Sequence, residues 1–294
     1  MTQESMAKFS DATVLEKTTS IKWNWGIVIA SIPVIIYVLI GIFGPLFIDF
    51  DPSKTFTGDR LLPPGSVLEN GKTAWLGTDQ VGRDVLSQII YGTRISLIVS
   101  LATVLIGGSV GVLLGLISGY FGGLIDSIIM RIADIQLAFP AILLAILIAG
   151  VLGPSITNVI ITLSITRWVT FARVTRGATL AIKKREFVDS ARVLGVSNLK
   201  ILFKYVFPMC ISSLMVIVTV QIGLVIISEA SLSFLGLGVP ASQPSWGLLI
   251  ALGRDYINTA WWIATMPGIA LAILVVSVGF LGDKLRDKFD TSLE

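Results

Sequence analysis

Apolar residues dominate this chain in six long runs, at 26–48, 95–119, 128–152, 155–172, 209–235 and 261–282. The hydrocarbon core of a bilayer takes about 20 apolar residues of helix to cross, so each run predicts one transmembrane helix. Asp126, Arg131 and Asp134 crowd the entry to the third run, and the short fourth run carries Arg167 near its inner end. Trp23 and Trp25 flank the first run and Trp261 and Trp262 open the last, as expected of aromatic belts at the two membrane surfaces. The pattern predicts an all-α integral membrane fold.

One stretch has a different rhythm. In EFVDSARVLGVSNLKILFKYVFP, Glu186 to Pro208, Phe187, Ser190, Ala191 and Leu194 share one face of a short helix. Gly195 suits the left-handed position that ends it. Ser197 is a good N-cap for a second helix, whose apolar face is Leu199, Leu202, Phe203 and Val206. Pro208 fits the first turn of the fifth span. The pattern predicts two short helices at an angle, with Ser190, Ala191, Gly195 and the charges facing the cytoplasm. On physical grounds the pair either lies on the membrane surface or docks a cytoplasmic protein.

Composition agrees with a membrane protein: 54% of the residues are hydrophobic and 14% charged, against about 25% charged in soluble domains. The mean hydropathy is +0.85. With Cys210 as its one cysteine the chain forms no internal disulfide, and with no histidine it lacks the commonest proton relay and any Cys/His metal site. The first run exceeds the core of a signal peptide and closes on GPLFIDFD, which offers no small-residue cleavage site, so it reads as a retained anchor. Six spans put both termini on one side. Residues 1–22 then form a polar tail, 23–94 a first span with an outer loop, 95–283 a five-helix core and 284–294 a second tail.

The charges orient this arrangement. Of the 22 Lys and Arg residues, 15 fall in the termini, the 120–134 stretch and the 173–208 loop. Six lie in the two long loops opposite: Lys54, Arg60, Lys72, Arg83, Arg94 and Arg254. Basic residues stay on the cytoplasmic side, so both termini and the 186–208 stretch are expected there.

Candidate chemistry is sparse. GTDQVGRD, Gly77 to Asp84, has the glycine frame of a phosphate-binding loop, but Arg83 replaces its lysine and Asp84 its Ser or Thr. A carboxylate there repels phosphate, so no nucleotide site is expected. Glu229 is the clear ionisable residue inside a span, and such residues are functional hypotheses by default. It either faces a substrate path or pairs with a donor such as a backbone group or Arg167. Gly107, Gly111, Gly115 and Gly119 line one face of the second span and let another helix approach closely, as a wall beside a translocation path or as plain packing. No catalytic constellation can be assembled.

The 186–208 stretch resembles the EAA motif of ABC-importer permeases. Asp189-Ser190-Ala191 stands for its E-A-A, Gly195 for its glycine, and Tyr205-Val206-Phe207-Pro208 for its closing I-x-L-P. WLGTDQVGRDVLSQIIYGTRISL (75–97), DSIIMRIADIQLAFP (126–140), SEASLSFLGLGVP (228–240) and PSWG (244–247) narrow the resemblance. It is to the dipeptide, oligopeptide and nickel group, specifically the second, C-type subunit of the permease pair, over about residues 25–290.

The resemblance implies a six-helix ABC importer type I permease in the plasma membrane of a bacterium or archaeon. It implies half of a pore, completed by a second homologous permease subunit, with two ABC ATPase subunits beneath it and an extracytoplasmic substrate-binding protein above. Such a subunit is not an enzyme, holds no cofactor or metal and has no nucleic-acid partner. Glu186, Asp189, Arg192 and Gly195 would dock the ATPase, with Ser190 and Ala191 giving close approach. The 49–94 and 236–260 loops would form a platform for the binding protein. Short peptides are the expected cargo, with nickel, metallophores and glutathione as related solutes. Two other readings remain open on the residues: an ATP-independent secondary transporter or channel, and a membrane scaffold that moves nothing.

Overall fold

The computed structural model describes residues 25–48, 51, 54–240 and 242–290. The N-terminal tail expected over 1–22, and Trp23, lie outside the described residues. The first span is α1 (Trp25–Phe47). An outer cap follows, with a two-stranded ribbon of β1 (Ser66–Val67) and β2 (Thr73–Ala74) paired antiparallel. Then come α2 (Val85–Phe121), α3 (Gly123–Leu137), α4 (Ala141–Leu152), α5 (Ile156–Ile182) and α6 (Glu186–Val193). α7 (Asn198–Ile201) passes through a π-helical turn, Leu202–Val206, into α8 (Phe207–Phe234). The outer helix α9 (Trp246–Gly253) and the last span α10 (Trp262–Asp290) complete the chain.

Four helical stretches among the described residues are long and apolar enough to cross a membrane: α1, α2, the run from α7 through α8, and α10. The expected third span, 128–152, is instead two helices, α3 and α4, bent by 86°. Pro140 supplies the reason, since it has no N–H to give and it disfavours a helical conformation at Phe139. The charges that crowd α3 are paired. Asp126 receives Arg176 Nε and an Nη at 2.6 Å and the Ser118 hydroxyl, while Asp134 receives Arg173 at 2.5 Å.

α5 is longer than the fourth run suggested and continues to Ile182. Arg167 therefore stands near mid-helix, about 17 Å from the start of α5 at roughly 1.5 Å per residue, and the helix runs on past the expected inner end of the span. α2 also begins early, at Val85, because the Asp84 carboxylate accepts the Ser87 N–H at 2.8 Å and caps the helix. Its 37 residues span about 55 Å, well beyond a hydrocarbon core of about 30 Å. The first turns thus rise into the outer cap, and the long loop expected to reach residue 94 ends at 84. Residues 284–290, expected within a tail, continue α10.

α2 and α5 form the central contact. Gly107, Gly111, Gly115 and Gly119 are all buried. A Cβ at Gly107 would stand 3.0 Å from the Ser164 carbonyl oxygen, one at Gly115 2.8 Å from Thr175 Cβ, and one at Gly119 2.8 Å from Thr179 Cβ. A Cβ at Gly111 would run into the Trp168 carbonyl oxygen and come within 2.6 Å of Phe171 Cβ. The stripe packs closely against α5, which both uses open to it require.

Three apolar clusters stack along the helices. The outer one gathers Val85, Ile89, Trp246, Leu249, Trp262 and Ile263. The middle one holds Val99, Leu163, Phe171, Val225 and Leu232. The inner one joins Leu116 and Tyr120 of α2 to Ile182, Val188, Ala191, Leu202 and Cys210. Trp262 departs from the expected belt position: it is buried in the outer cluster and donates Nε1–H to the Thr78 carbonyl at 3.0 Å. Trp261 beside it is exposed.

The glycine contact makes a direct prediction. Gly111→Leu should prevent accumulation of folded, monodisperse protein in detergent, because the added atoms meet backbone that cannot move aside. Gly177→Ala on α5, where a Cβ meets nothing within 4 Å, should be neutral or stabilise by up to about 1 kcal/mol. Size-exclusion profiles and thermal midpoints of the two variants check this.

Candidate functional site

α6 and the turn after it form a hairpin between the inner ends of α5 and α8. Glu186 and Asp189 lie in the first turn of α6 and Arg192 in its last, each favourable to the helix dipole. Gly195 has φ +73°. Its N–H bonds to the Arg192 carbonyl at 2.9 Å, and the Val196 N–H to the Ala191 carbonyl at 3.1 Å, which together make a Schellman ending. The expected helix stop is therefore present, with the expected glycine.

The faces differ from the sequence expectation. Val188, fully buried, and Ala191 turn inward with Phe187 partly covered. Ser190 is exposed and its hydroxyl donates to the Glu186 carbonyl at 2.9 Å. Leu194 is 80% exposed, beside Val193 at 88%. A helix of two turns has a narrow buried stripe, and the Schellman turn carries Leu194 off it. After the turn, Ile201, Leu202 and Val206 are buried while Leu199 and Phe203 are exposed. The π-helical turn at 202–206 shifts the helical register there. α7 is also no separate second helix, since it runs on into α8. Ser197 occupies the N-cap position of α7, yet its side chain makes no capping bond.

Of the six residues assigned to docking, Glu186, Asp189, Ser190, Arg192 and Gly195 are exposed. Ala191 is not, and it packs in the inner cluster. Val193 and Leu194 are the surface groups that sequence reasoning missed. Their signal was their place immediately before the turn glycine, where a helix face no longer constrains them.

The hairpin is fastened to the spans. Arg192 donates to Asp189 at 2.9 Å and lies 5.8 Å from the Tyr120 ring centroid. The Tyr120 hydroxyl donates to Asn198 Oδ1 at 2.9 Å. Lys183 Nζ donates to the Gly119 and Tyr120 carbonyls at 2.8 and 3.2 Å, satisfying the open C-terminal end of α2. These contacts tie the hairpin to α2, to the end of α5 and, through α7, to α8.

Glu229 is 1% exposed. Its carboxylate accepts the Ser233 hydroxyl at 2.7 Å and the Ser96 hydroxyl at 3.2 Å. The glutamate therefore joins α8 to α2. Arg167 does not pair with it. That guanidinium donates to Ser228 Oγ at 2.5 Å and to the Leu224 carbonyl at 3.4 Å.

The Gly77–Asp84 segment uses its phosphate-loop geometry on itself. The buried Asp79 carboxylate accepts the Val81 and Arg83 N–H groups, each at 2.9 Å, Arg83 Nε at 2.8 Å and Gln88 Nε2 at 3.0 Å. The anion of this nest is supplied by the chain. No group of three or more metal-ligating side chains occurs among the described residues.

Residues 111–293 match the family profile described as "Binding-protein-dependent transport system inner membrane component". The chain is 39% identical to the di/tripeptide transport system permease protein DppC of Pseudomonas aeruginosa, over 88% of this chain and 86% of that one. It is also 39% identical to the glutathione transport system permease protein GsiD of Pectobacterium atrosepticum, over 91% and 87% of the two chains. Among solved structures, the MetNI methionine ABC transporter in inward-facing conformations has a chain that aligns with a TM-score of 0.54 at 19% identity. It covers 70% of this chain and 96% of that chain, a likeness of fold.

The Glu229 cluster separates a structural carboxylate from a transporting one. Glu229→Ala leaves Ser96 and Ser233 without their acceptor and should destabilise by about 1–3 kcal/mol. Glu229→Gln keeps an acceptor oxygen and should hold most of the stability and most of the uptake. Thermal midpoints in detergent, paired with uptake in vesicles, check both.

Proposed function

Because the chain belongs to the binding-protein-dependent transport system inner membrane component family, and is an importer permease of the dipeptide and oligopeptide group, we propose that it works as the C-type half of a pore for short peptides. A second, homologous permease completes the pore in this proposal. Two ATPase subunits lie beneath it, an extracytoplasmic protein delivers cargo, and both termini face the cytoplasm. The chain itself catalyses nothing and leaves ATP hydrolysis to the ATPases. Relatives named for dipeptides, di/tripeptides and glutathione support small peptides as the cargo.

One observation carries the coupling role: the exposed apolar pair Val193 and Leu194 at the tip of the anchored hairpin. Apolar groups rimmed by charge mark protein contacts, and here Glu186, Asp189 and Arg192 supply the rim. A pair of helices lying on the membrane would need its apolar face free. In this hairpin Val188, Ala191, Ile201 and Leu202 are already packed in the inner cluster. Val193 and Leu194 at the tip are its most exposed apolar groups, ahead of Leu199 and Phe203.

Coupling then follows from the attachments. An ATPase that closes on ATP moves the hairpin, and the bonds at Tyr120, Asn198 and Lys183 pass the displacement to α2, α5 and α8. The spans answer as a two-state element biased by contacts at a remote site. No observation favours an ATP-independent transporter, since the carboxylate of Glu229 is engaged by serines within the chain.

The Val193→Asp/Leu194→Asp double variant should insert normally but lose the ATPase subunits on gentle detergent purification, with uptake down about tenfold or more, as for removal of at least 1.4 kcal/mol of contact. Gly195→Trp, which forces a bulky side chain onto a backbone at φ +73°, should leave ATP hydrolysis running without uptake. Normal uptake by either variant would remove the hairpin from the coupling route.

A further inference from the structure

Arg167 on α5 is a charged group with a buried nitrogen whose bonding is incomplete. It stands near the middle of α5, at a depth where an isolated charge is costly. Its two acceptors, Ser228 Oγ and the Leu224 carbonyl, are both neutral. Its Nε is buried without a partner. Among the described residues no carboxylate forms an ion pair with it. Glu229, next to Ser228 in sequence, is turned away to Ser96 and Ser233.

The surroundings are not those of a lipid-facing helix. Trp168, the next residue, donates Nε1–H to Gln136 Oε1 at 2.8 Å, and the Gln136 amide donates to the Ile165 carbonyl at 2.8 Å. This stretch of α5 therefore gathers several polar side chains at one level, and Arg167 is only half-buried. Charges within a span face a bundle interior or a water-filled cavity and not lipid. A guanidinium presents a planar fork that takes a carboxylate through two hydrogen bonds. A hydroxyl and a carbonyl hold that fork in place without neutralising it.

We propose that Arg167 is an anion-recognition group of the translocation path, and that it takes the C-terminal carboxylate of the passing peptide. This rests on the peptide-importer function proposed above. Ser228 and the Leu224 carbonyl orient the guanidinium between transport cycles. The carboxylate supplies the missing counter-charge as cargo crosses the membrane level of α5.

The test uses the complete importer in proteoliposomes with ATP and its own binding protein. Uptake of alanyl-alanine is compared with that of its C-terminal amide for the wild type, Arg167→Gln and Arg167→Lys. The binding protein is the same in all three, so its own preference cancels. Expected is a fall in the acid-to-amide uptake ratio of about tenfold to a hundredfold in Arg167→Gln, the worth of a hydrogen bond to a charged group. Arg167→Lys should be intermediate. An unchanged ratio in Arg167→Gln overturns the proposal while leaving the importer function standing. Failure of both variants to co-purify with the second permease also overturns it, by assigning the counter-charge to that subunit. A wild type that carries neither peptide overturns the peptide cargo and this inference with it.

Discussion

Close approach of two helix backbones is the constraint on which this chain depends. In lipid no hydrophobic force drives helices together, so association relies on packing and on polar bonds between them. Gly107, Gly111, Gly115 and Gly119 let α2 lie against the backbone of α5 over four turns. That alignment brings Lys183 to the carbonyl end of α2 and Arg176 to Asp126. A wider separation would loosen the inner cluster and, with it, the hairpin that α5 feeds.

The polar groups at membrane depth divide into two kinds. Glu229 has serine donors from two helices, α8 and α2, so its carboxylate is engaged within the chain. Gln136 and Trp168 satisfy one another and the α5 backbone. Asp79, above the membrane, fills a nest of its own N–H groups. Arg167 differs in having neutral partners and a buried, unbonded Nε. Among the described residues, Thr103, Thr162 and Gln221 also bury an unbonded oxygen, but Arg167 is the charged member of that set.

The hairpin joins rigidity to exposure. Its inward face belongs to the same cluster as the ends of α2, α5 and α8, while its tip offers two apolar side chains within a charged rim. Neither property alone would serve coupling. A loose loop would bind a partner without moving the spans, and a buried hairpin would have no partner to move it.

The apolar runs alone determined that the chain is a helical membrane protein, since only helices and closed barrels satisfy a backbone in lipid and continuous runs of about 20 apolar residues fit the helix. They located the first and fifth spans to within a few residues at both ends, and one end each of the second, fourth and sixth. Gly195 was legible because few residues tolerate a left-handed turn, and the EAA-like spacing identified the hairpin as the element of interest. Tertiary structure decided what periodicity could not. It broke the third span at Pro140, carried α2 and α5 past their apolar runs with a cap and with ion pairs, and sent the glycine stripe to α5. It also buried Val188 and Ala191 while exposing Val193 and Leu194, because the ends of short helices and a π turn rotate faces away from simple spacing. Ser96, which bonds Glu229, and Ser228, which bonds Arg167, lie 133 and 61 residues away in sequence, and local pattern carries no record of which distant side chain the packing brings within a hydrogen bond.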